Sequence, residues 1–460
     1  MKSISSLTPD QVATVSHLYQ HDHTLLIGNM GAGKTVVTLE AMRCLIEDKQ
    51  LKRILVIAPL KVCNSVWASE YKEWDVLQDM RIAIATGAPI NRLKALGADV
   101  DIVVINFENV AWMVDEGLLK GFDGLLVDEL TKFKGGGKAF KKLRRYIKQF
   151  SWRVGMTGTL VSENIESLFY QMMVVDEGAS FGKNKQNYLD KYFFPTDFNR
   201  RNWEPKSESL AFITNLISEY VYTMPDYRHE LPPIQIIHAP LPLDDASAKV
   251  YKEMAKGFAT LGVTADSVAA QYTKMQQIAA GFIYGEAGSG DVHYINSTKM
   301  DELDRICETV RRAAIGKSAV SQNMIVVYQF KEELERLRAK YGRDLPVLGG
   351  GLPAAGTTEI VRRWNRGELR VLALHPRSGG HGLNLARGGH TIVWLSPIWS
   401  RDLYDQTNAR LWRRGQQHPV TVYVLMGDDT VDLLIASRLD SKADLMPAFI
   451  AHLNHWQAKS

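Results

Sequence analysis

An alternation constrains this chain more than any other feature of its sequence. Short apolar runs recur along it: TLLIG, ILVIAP, RIAIAT, DIVVINF, GLLVDE and RVGMTGT in the first part, then MIVVYQF, RVLALHP, TIVWLSP and TVYVLM in the last. Between most of them lie segments of helical periodicity, such as QFKEELERLRAKYG and TTEIVRRWNRG. Strands separated by helices pair through crossovers, which lay them side by side in parallel with helices on both faces. Two series of this kind predict an α/β chain of two tandem parallel-sheet lobes.

The length agrees, since 460 residues at 45% apolar composition suffice for two ordinary cores. From about 162 to 300 the pattern changes to longer helix-like stretches (210–220, 246–261 and 267–280) and the Pro-rich HELPPIQ. We therefore expect an N-terminal lobe over 1–231 with a helical protrusion from about 162. A C-terminal lobe over 232–460, with a helical insertion to about 300, would follow. EAGSGD, starting at Glu286, reads as an exposed turn.

Charge decides little: a formal net charge of +4 permits a polyanionic partner without requiring one. Cys44, Cys63 and Cys307 lie far apart with no CxxC or Cys/His spacing, so neither a zinc site nor a disulfide framework is expected. MKSISSLTPDQ has no apolar core of a leader, and no apolar run reaches membrane-span length. A soluble protein of a reducing cytoplasm, with no membrane partner, is the expectation.

Chemistry enters with GNMGAGKT, placed between an apolar run and a helical segment. Its glycines let backbone N–H groups face a phosphate without a Cβ in the way, and the following helix adds its N-terminal dipole. Gly31, Ala32, Gly33, Lys34 and Thr35 would hold ATP, with Lys34 on the terminal phosphates and the Thr35 hydroxyl on Mg²⁺. Such a loop needs a second magnesium ligand and a group to orient water at a neighbouring strand end. GLLVDE offers Asp128 for the metal and Glu129 as general base. Near the C-terminus, DQTNARLWRRGQQ read as a helix puts Gln406, Arg410 and Arg413 on one face. Those arginines could neutralise γ-phosphate charge during transfer, with Gln406 beside them.

In order along the chain, LTPDQ, MGAGKT, ILVIAPLKVCNSVWASEYKEW, INFE, DELTKFK, MTGTLVSENIESL, ELPPIQIIHAPLPLDDASAKVYKEM, IVVYQF, SGGHGLNL and QTNARLWRRGQ resemble the motif series of Snf2-like superfamily 2 helicases and translocases. The resemblance runs along nearly the whole chain and implies two RecA-like lobes. It also implies adenine contact by Gln11 and coupling through Thr157, Gly158, Thr159, Gly382 and Asn384. Departures from the family pattern are Gly28-Asn29 for an acidic pair, Leu130-Thr131 after the acid pair, Leu160 for proline and Trp412 for histidine. None removes an atom that hydrolysis needs. The link from the acid pair to the following motif is expected to run through Thr131.

The resemblance implies DNA as polymer, RNA being the less favoured partner, and a monomeric motor. Candidate DNA contacts are Lys61, which follows a strand, Asn106 of INFE, and the backbone at Gly379 and Gly380. Lys132, Lys141, Lys142 and Arg145 belong to a basic stretch whose helix KAFKKLRRYIKQF would bury Phe140, Leu143, Ile147 and Phe150. That stretch fits a solvated face and a phosphate-contacting face equally well. An ATP-dependent DNA translocase or helicase is the leading expectation. The alternatives are a fork-remodelling or branch-migration motor and a clamp that uses ATP only as a switch. No nuclease motif, reader module or zinc module is visible, which suits a bacterial or bacteriophage motor of replication, recombination or repair.

Overall fold

The structure, a computed structural model, describes residues 2–158, 165–286, 289–314, 322–349, 352, 354–377 and 383–440. It divides into two compact units, the first ending at Tyr227 and the second beginning at Arg228. Among the described residues, no helix is long and apolar enough to cross a membrane.

Unit 1 contains β1 (His23–Ile27), β2 (Ile54–Ala58), β3 (Ile82–Ala85), β4 (Ile102–Asn106), β5 (Gly124–Asp128), β6 (Trp152–Thr157), β7 (Phe193–Pro195), β8 (Trp203–Pro205) and β9 (Val221–Thr223). All but β7 and β8 form one sheet in the order β3-β4-β2-β5-β6-β1-β9, with every pair parallel. Strands β2 and β4 are buried at every position, which explains why ILVIA and IVVIN read as unbroken apolar runs instead of alternating. Because all seven strands run the same way, their carboxyl ends share one edge, and the loops that leave β1, β5 and β6 gather there.

The region from Ile165 onwards is joined to this core. Leu168, Phe169, Tyr188, Tyr192, Phe193, Ile213 and Ile217 bury into the same apolar cluster as the sheet. Tyr188 stands at the centre of a ring cluster, with Phe181 at 4.6 Å and Phe193 at 5.3 Å. The short β9, unread in the sequence analysis because it has only three residues, pairs with β1 and closes the sheet. The basic segment forms an α-helix over Lys138–Leu143 and a 3-10 helix over Arg144–Gln149 instead of one helix. The expected residues Phe140, Leu143, Ile147 and Phe150 are nonetheless buried.

Unit 2 contains β10 (Ile234–Leu241), the pair β11 (Ala259–Thr260) and β12 (Val263–Thr264), and the hairpin β13 (Phe282–Tyr284) and β14 (Val292–Tyr294). It continues with β15 (Met324–Val327), β16 (Val347–Leu348), β17 (Val371–Leu374), β18 (Thr391–Trp394) and β19 (Val420–Gly427). Its main sheet has the order β10-β19-β18-β15-β17-β16, again wholly parallel. EAGSGD lies in the connection between β13 and β14. The expected helix over 246–261 is Asp245–Gly257, stopped by Phe258 in the left-handed conformation. A buried ion pair, Lys299 Nζ to Asp432 Oδ2 at 2.7 Å, ties the helix Thr298–Ala314 to the start of Val431–Asp440. Ser396 extends that network to Glu333, whose carboxyl burial holds above its ordinary range.

Candidate nucleotide-binding and hydrolysis site

The glycine loop leaves the carboxyl end of β1 and enters the helix Lys34–Glu47. Gly31 and Gly33 take φ of 81° and 88°, a region costly for side-chain-bearing residues, so the turn that exposes the loop's N–H groups depends on glycine there. Gly33 is constrained twice, since a Cβ on it would stand 2.3 Å from Gln11 Nε2. Gln11 closes a capping box at the helix Pro9–Gln20 and donates from Nε2 to the Ala32 carbonyl at 2.9 Å. Its amide thus braces the loop from one side. Lys34 Nζ turns back onto the Gly28 carbonyl at 2.5 Å and the Asn29 carbonyl at 3.3 Å. Thr35 follows in the first turn of the helix and is half-buried.

A second brace comes from β9 and the chain after it. Met224 N donates to the Ile27 carbonyl at 2.8 Å, and the Tyr227 hydroxyl donates to the Met30 carbonyl. Met224 also explains the departure at Gly28: a Cβ there would lie 2.9 Å from the Met224 sulfur. From β6, the Thr157 carbonyl accepts Gly28 N at 3.1 Å, and Gly158 leaves room beside Met30. Nothing in the sequence marked Met224 or Tyr227, because Tyr227 reaches the loop from 197 positions away.

Asp128 ends β5 and Glu129 follows it in the left-handed conformation, φ 65°. Such backbone in a non-glycine residue is sparsely populated and clusters at functional sites. Burial pushes the Asp128 carboxyl up to about 6, against the opposing hydrogen bond from Trp67. Trp67 Nε1 donates to Asp128 Oδ2 at 3.0 Å from a fully buried ring. Its only sequence signal was its place in VWASEYKEW. Thr131 donates to Glu129 Oε1 at 2.7 Å, so it holds the acid itself. The contact to β6 is made by Leu130: a Cβ on Gly155 would stand 2.4 Å from Leu130 Cδ2.

In unit 2 the helix carrying Gln406 is Arg401–Asn408, and the chain leaves it before Arg410 and Arg413. The expected single helical face is therefore corrected to a helix end followed by turns. Two packing demands stop the helix: Leu411 is fully buried, and Asn408 is held by the indole of Trp394 at 3.0 Å. Gln416 then fixes the turn by donating to the carbonyls of Ala386, Gly389 and Leu411. Arg410 is 6% exposed, and its Nε is buried without a hydrogen-bond partner among the described residues. Burial, then the neighbouring Arg413, pushes its guanidinium down to about 9. Arg413 donates to the Leu383 carbonyl at 3.3 Å.

The candidate DNA contacts fall less uniformly. Lys61, Lys132, Lys141 and Arg145 are exposed, whereas Lys142 pairs with Asp115 at 2.5 Å. Asn106 is buried, with its amide nitrogen on Glu108 and its oxygen accepting from Asn109, so its side chain is spent inside the protein. Asn384 is exposed and its Oδ1 accepts from Ala386 N. Thr159, Leu160, Gly379, Gly380 and Gly382 lie outside the described residues.

Residues 10–284 match the SNF2-related domain, and residues 299–415 match the helicase conserved C-terminal domain. The chain belongs to the SNF2-related family. Among similar proteins, p41 of Acyrthosiphon pisum secondary endosymbiont phage 1 is 28% identical, covering 94% of this SNF2-related chain and 95% of the phage protein. Nuclear protein STH1/NPS1 of Saccharomyces cerevisiae is 22% identical over 94% of the chain, which spans 33% of that protein. The DNA repair and recombination protein RAD54-like of Danio rerio is 23% identical over 92% of the chain and 63% of its own length. The Sulfolobus solfataricus SWI2/SNF2 ATPase core in complex with dsDNA aligns at a TM-score of 0.43 and 21% identity, over 98% of this chain and 94% of that one.

Proposed function

We propose that this SNF2-related chain is an ATP-driven DNA translocase in which hydrolysis depends on both units. The residues of unit 1 fit a magnesium nucleotide: the loop turns on two left-handed glycines, and beside it stand a lysine, a threonine hydroxyl and a carboxylate steered by an indole. Mg²⁺, when bound, would supply charge to the phosphates, with Thr35 and Asp128 as its protein ligands. Lys34 would exchange its own loop's carbonyls for phosphate oxygens. Glu129, oriented by Thr131, would take a proton from the attacking water.

The observation that carries the reading is Arg410. With no counter-charge among the described residues, its buried guanidinium costs free energy unless an anion is its occasional partner. A transferring phosphoryl group is such an anion, and Arg413 beside it would share the task. This disfavours a clamp that merely binds ATP, since a switch needs no cation for developing charge. The polymer reading rests on the family and on relatives such as the RAD54-like DNA repair and recombination protein. The test is phosphate release with and without duplex DNA. We expect DNA to stimulate the wild type and Glu129→Gln to lose at least about a hundredfold in turnover. Equal slow turnover in both proteins, whatever the DNA, would contradict a hydrolysing motor.

A further inference from the structure

The motor reading leaves one built feature of unit 1 unused. Strands β7 and β8 form an antiparallel hairpin with Phe193 opposite Pro205 and Pro195 opposite Trp203. Its root is fixed, because Phe193 is buried in the unit's core and Lys206 Nζ donates to the carbonyls of Asp190 and Lys191. Its tip is fixed as well. Asp197 Oδ1 accepts the N–H groups of Arg201 and Asn202, both at 2.8 Å, so one carboxylate ties the two sides of the loop together. Arg200 reaches Asp190 at 2.6 Å and lies 5.1 Å from the Trp203 ring, whose Nε1 donates to the Arg200 carbonyl.

At this ordered tip Phe198 is 102% exposed, so both faces of its ring are open. A single exposed apolar side chain is ordinary, and what sets Phe198 apart is that its ring is fully open on a hairpin braced at root and tip, where a flat partner can stack on it. Residues 183–206 carry six lysines and arginines, of which Lys183 pairs with Glu177, Arg200 with Asp190 and Lys206 with main-chain carbonyls, while Lys185, Lys191 and Arg201 have no ion pair among the described residues. Cations interleaved with an open aromatic ring suit a nucleic-acid strand: the cations meet phosphates and the ring meets the face of a base. Inside a duplex each base is paired and already stacked on both sides, so a base free to leave its stack for the ring lies at a junction or in an unpaired segment.

We propose that the hairpin Phe193–Pro205 is a DNA-contacting pin, on which Phe198 stacks against an unpaired base where duplex meets single strand. The proposal takes the polymer from the motor reading and adds a second contact, with a preference for forked over blunt DNA. Because Phe198 is fully exposed among the described residues, Phe198→Ala should remove the stack with little cost to folding, and Phe198→Trp should restore it. The experiment compares binding to a fork carrying 2-aminopurine at its junction with binding to a blunt duplex, and records duplex-stimulated ATPase for each protein.

Wild type should quench the probe, and Phe198→Ala should lose the quench and bind the fork about 5- to 150-fold more weakly. Blunt-duplex binding and duplex-stimulated turnover should stay as in wild type, and Phe198→Trp should recover the fork signal. Unchanged fork affinity in Phe198→Ala would overturn the pin, as would an equal loss on fork and duplex. A self-association seen by sedimentation and lost in Phe198→Ala, with DNA binding intact, would also overturn it by giving the ring to a second copy of the chain. The motor reading fails separately, on absent duplex stimulation in the wild type.

Discussion

Arg410 is 6% exposed and its Nε has no hydrogen-bond partner among the described residues, a costly state unless an anion offsets it, so the role proposed for it can be tested against a merely structural one. Replacing it by methionine should leave the thermal midpoint unchanged or raised and lower ATPase by about 10³-fold or more. A fall in midpoint by several degrees with activity retained would mark it as a packing residue. Trp67 makes the opposite kind of contribution, since it acts through Asp128. Trp67→Phe keeps the buried ring and deletes one donor to a carboxylate, so Mn²⁺ affinity measured by electron paramagnetic resonance should weaken about tenfold. An unchanged affinity would remove Trp67 from the site. At this scale the sequence was informative where chemistry is local: GAGKT follows the end of β1, and Asp128 and Glu129 stand at the end of β5, so each group is carried by one strand end and its loop. It was silent on Met224 and Tyr227, which arrive through tertiary packing, and it could not tell that Asn106 is enclosed by Glu108 and Asn109.

The elements show why some patterns survive folding and others do not. All ten strands read from apolar runs are present, because a strand buried on both faces needs continuous hydrophobicity that no surface helix tolerates. The helix drawn through Arg410 and Arg413 was wrong because periodicity in 406–413 says nothing of Leu411 and Asn408, whose burial turns the chain. Leu130 over Gly155 is a contact between two elements, the acid-pair turn and β6, and it can be tested as such. Gly155→Ala should cost about 1–3 kcal/mol through overpacking, most of it recovered in the Leu130→Ala background, as read from urea midpoints. Additive losses would disprove the contact. On the opposite side of β1, His17 stacks between His21 and Tyr222, and burial with the nearby His21 pushes it down to about 4. Between pH 6.5 and about 4 the unfolded chain therefore binds a proton that the folded one refuses, so stability falls as pH drops through that window. Allowing for solvent screening, the loss should be on the order of 1–2 kcal/mol, and His17→Phe should flatten the pH dependence of the urea midpoint. An unaltered slope would assign the acid sensitivity elsewhere.

For the whole molecule, the two series of strands became two parallel sheets, each with its own core, while the SNF2-related match spans unit 1 and runs on to residue 284 of unit 2. That division was legible because crossover helices leave a periodicity that hairpins do not. Less legible was the stretch after Ile165, where short strands and ring clusters knit helical segments into unit 1. On the motor reading, unit 1 would hold the nucleotide and activate the water, and unit 2 would supply Arg410. If hydrolysis in such a chain drives movement, a barrier on the duplex must be pushed off. The most direct measurement is displacement of a third strand bound to one end of a long duplex, followed with ATP. Wild type should release the third strand at a rate that rises with ATP, while Glu129→Gln and Arg410→Met should leave it bound. A third strand that stays in place while the wild type hydrolyses ATP at a DNA-stimulated rate would contradict translocation.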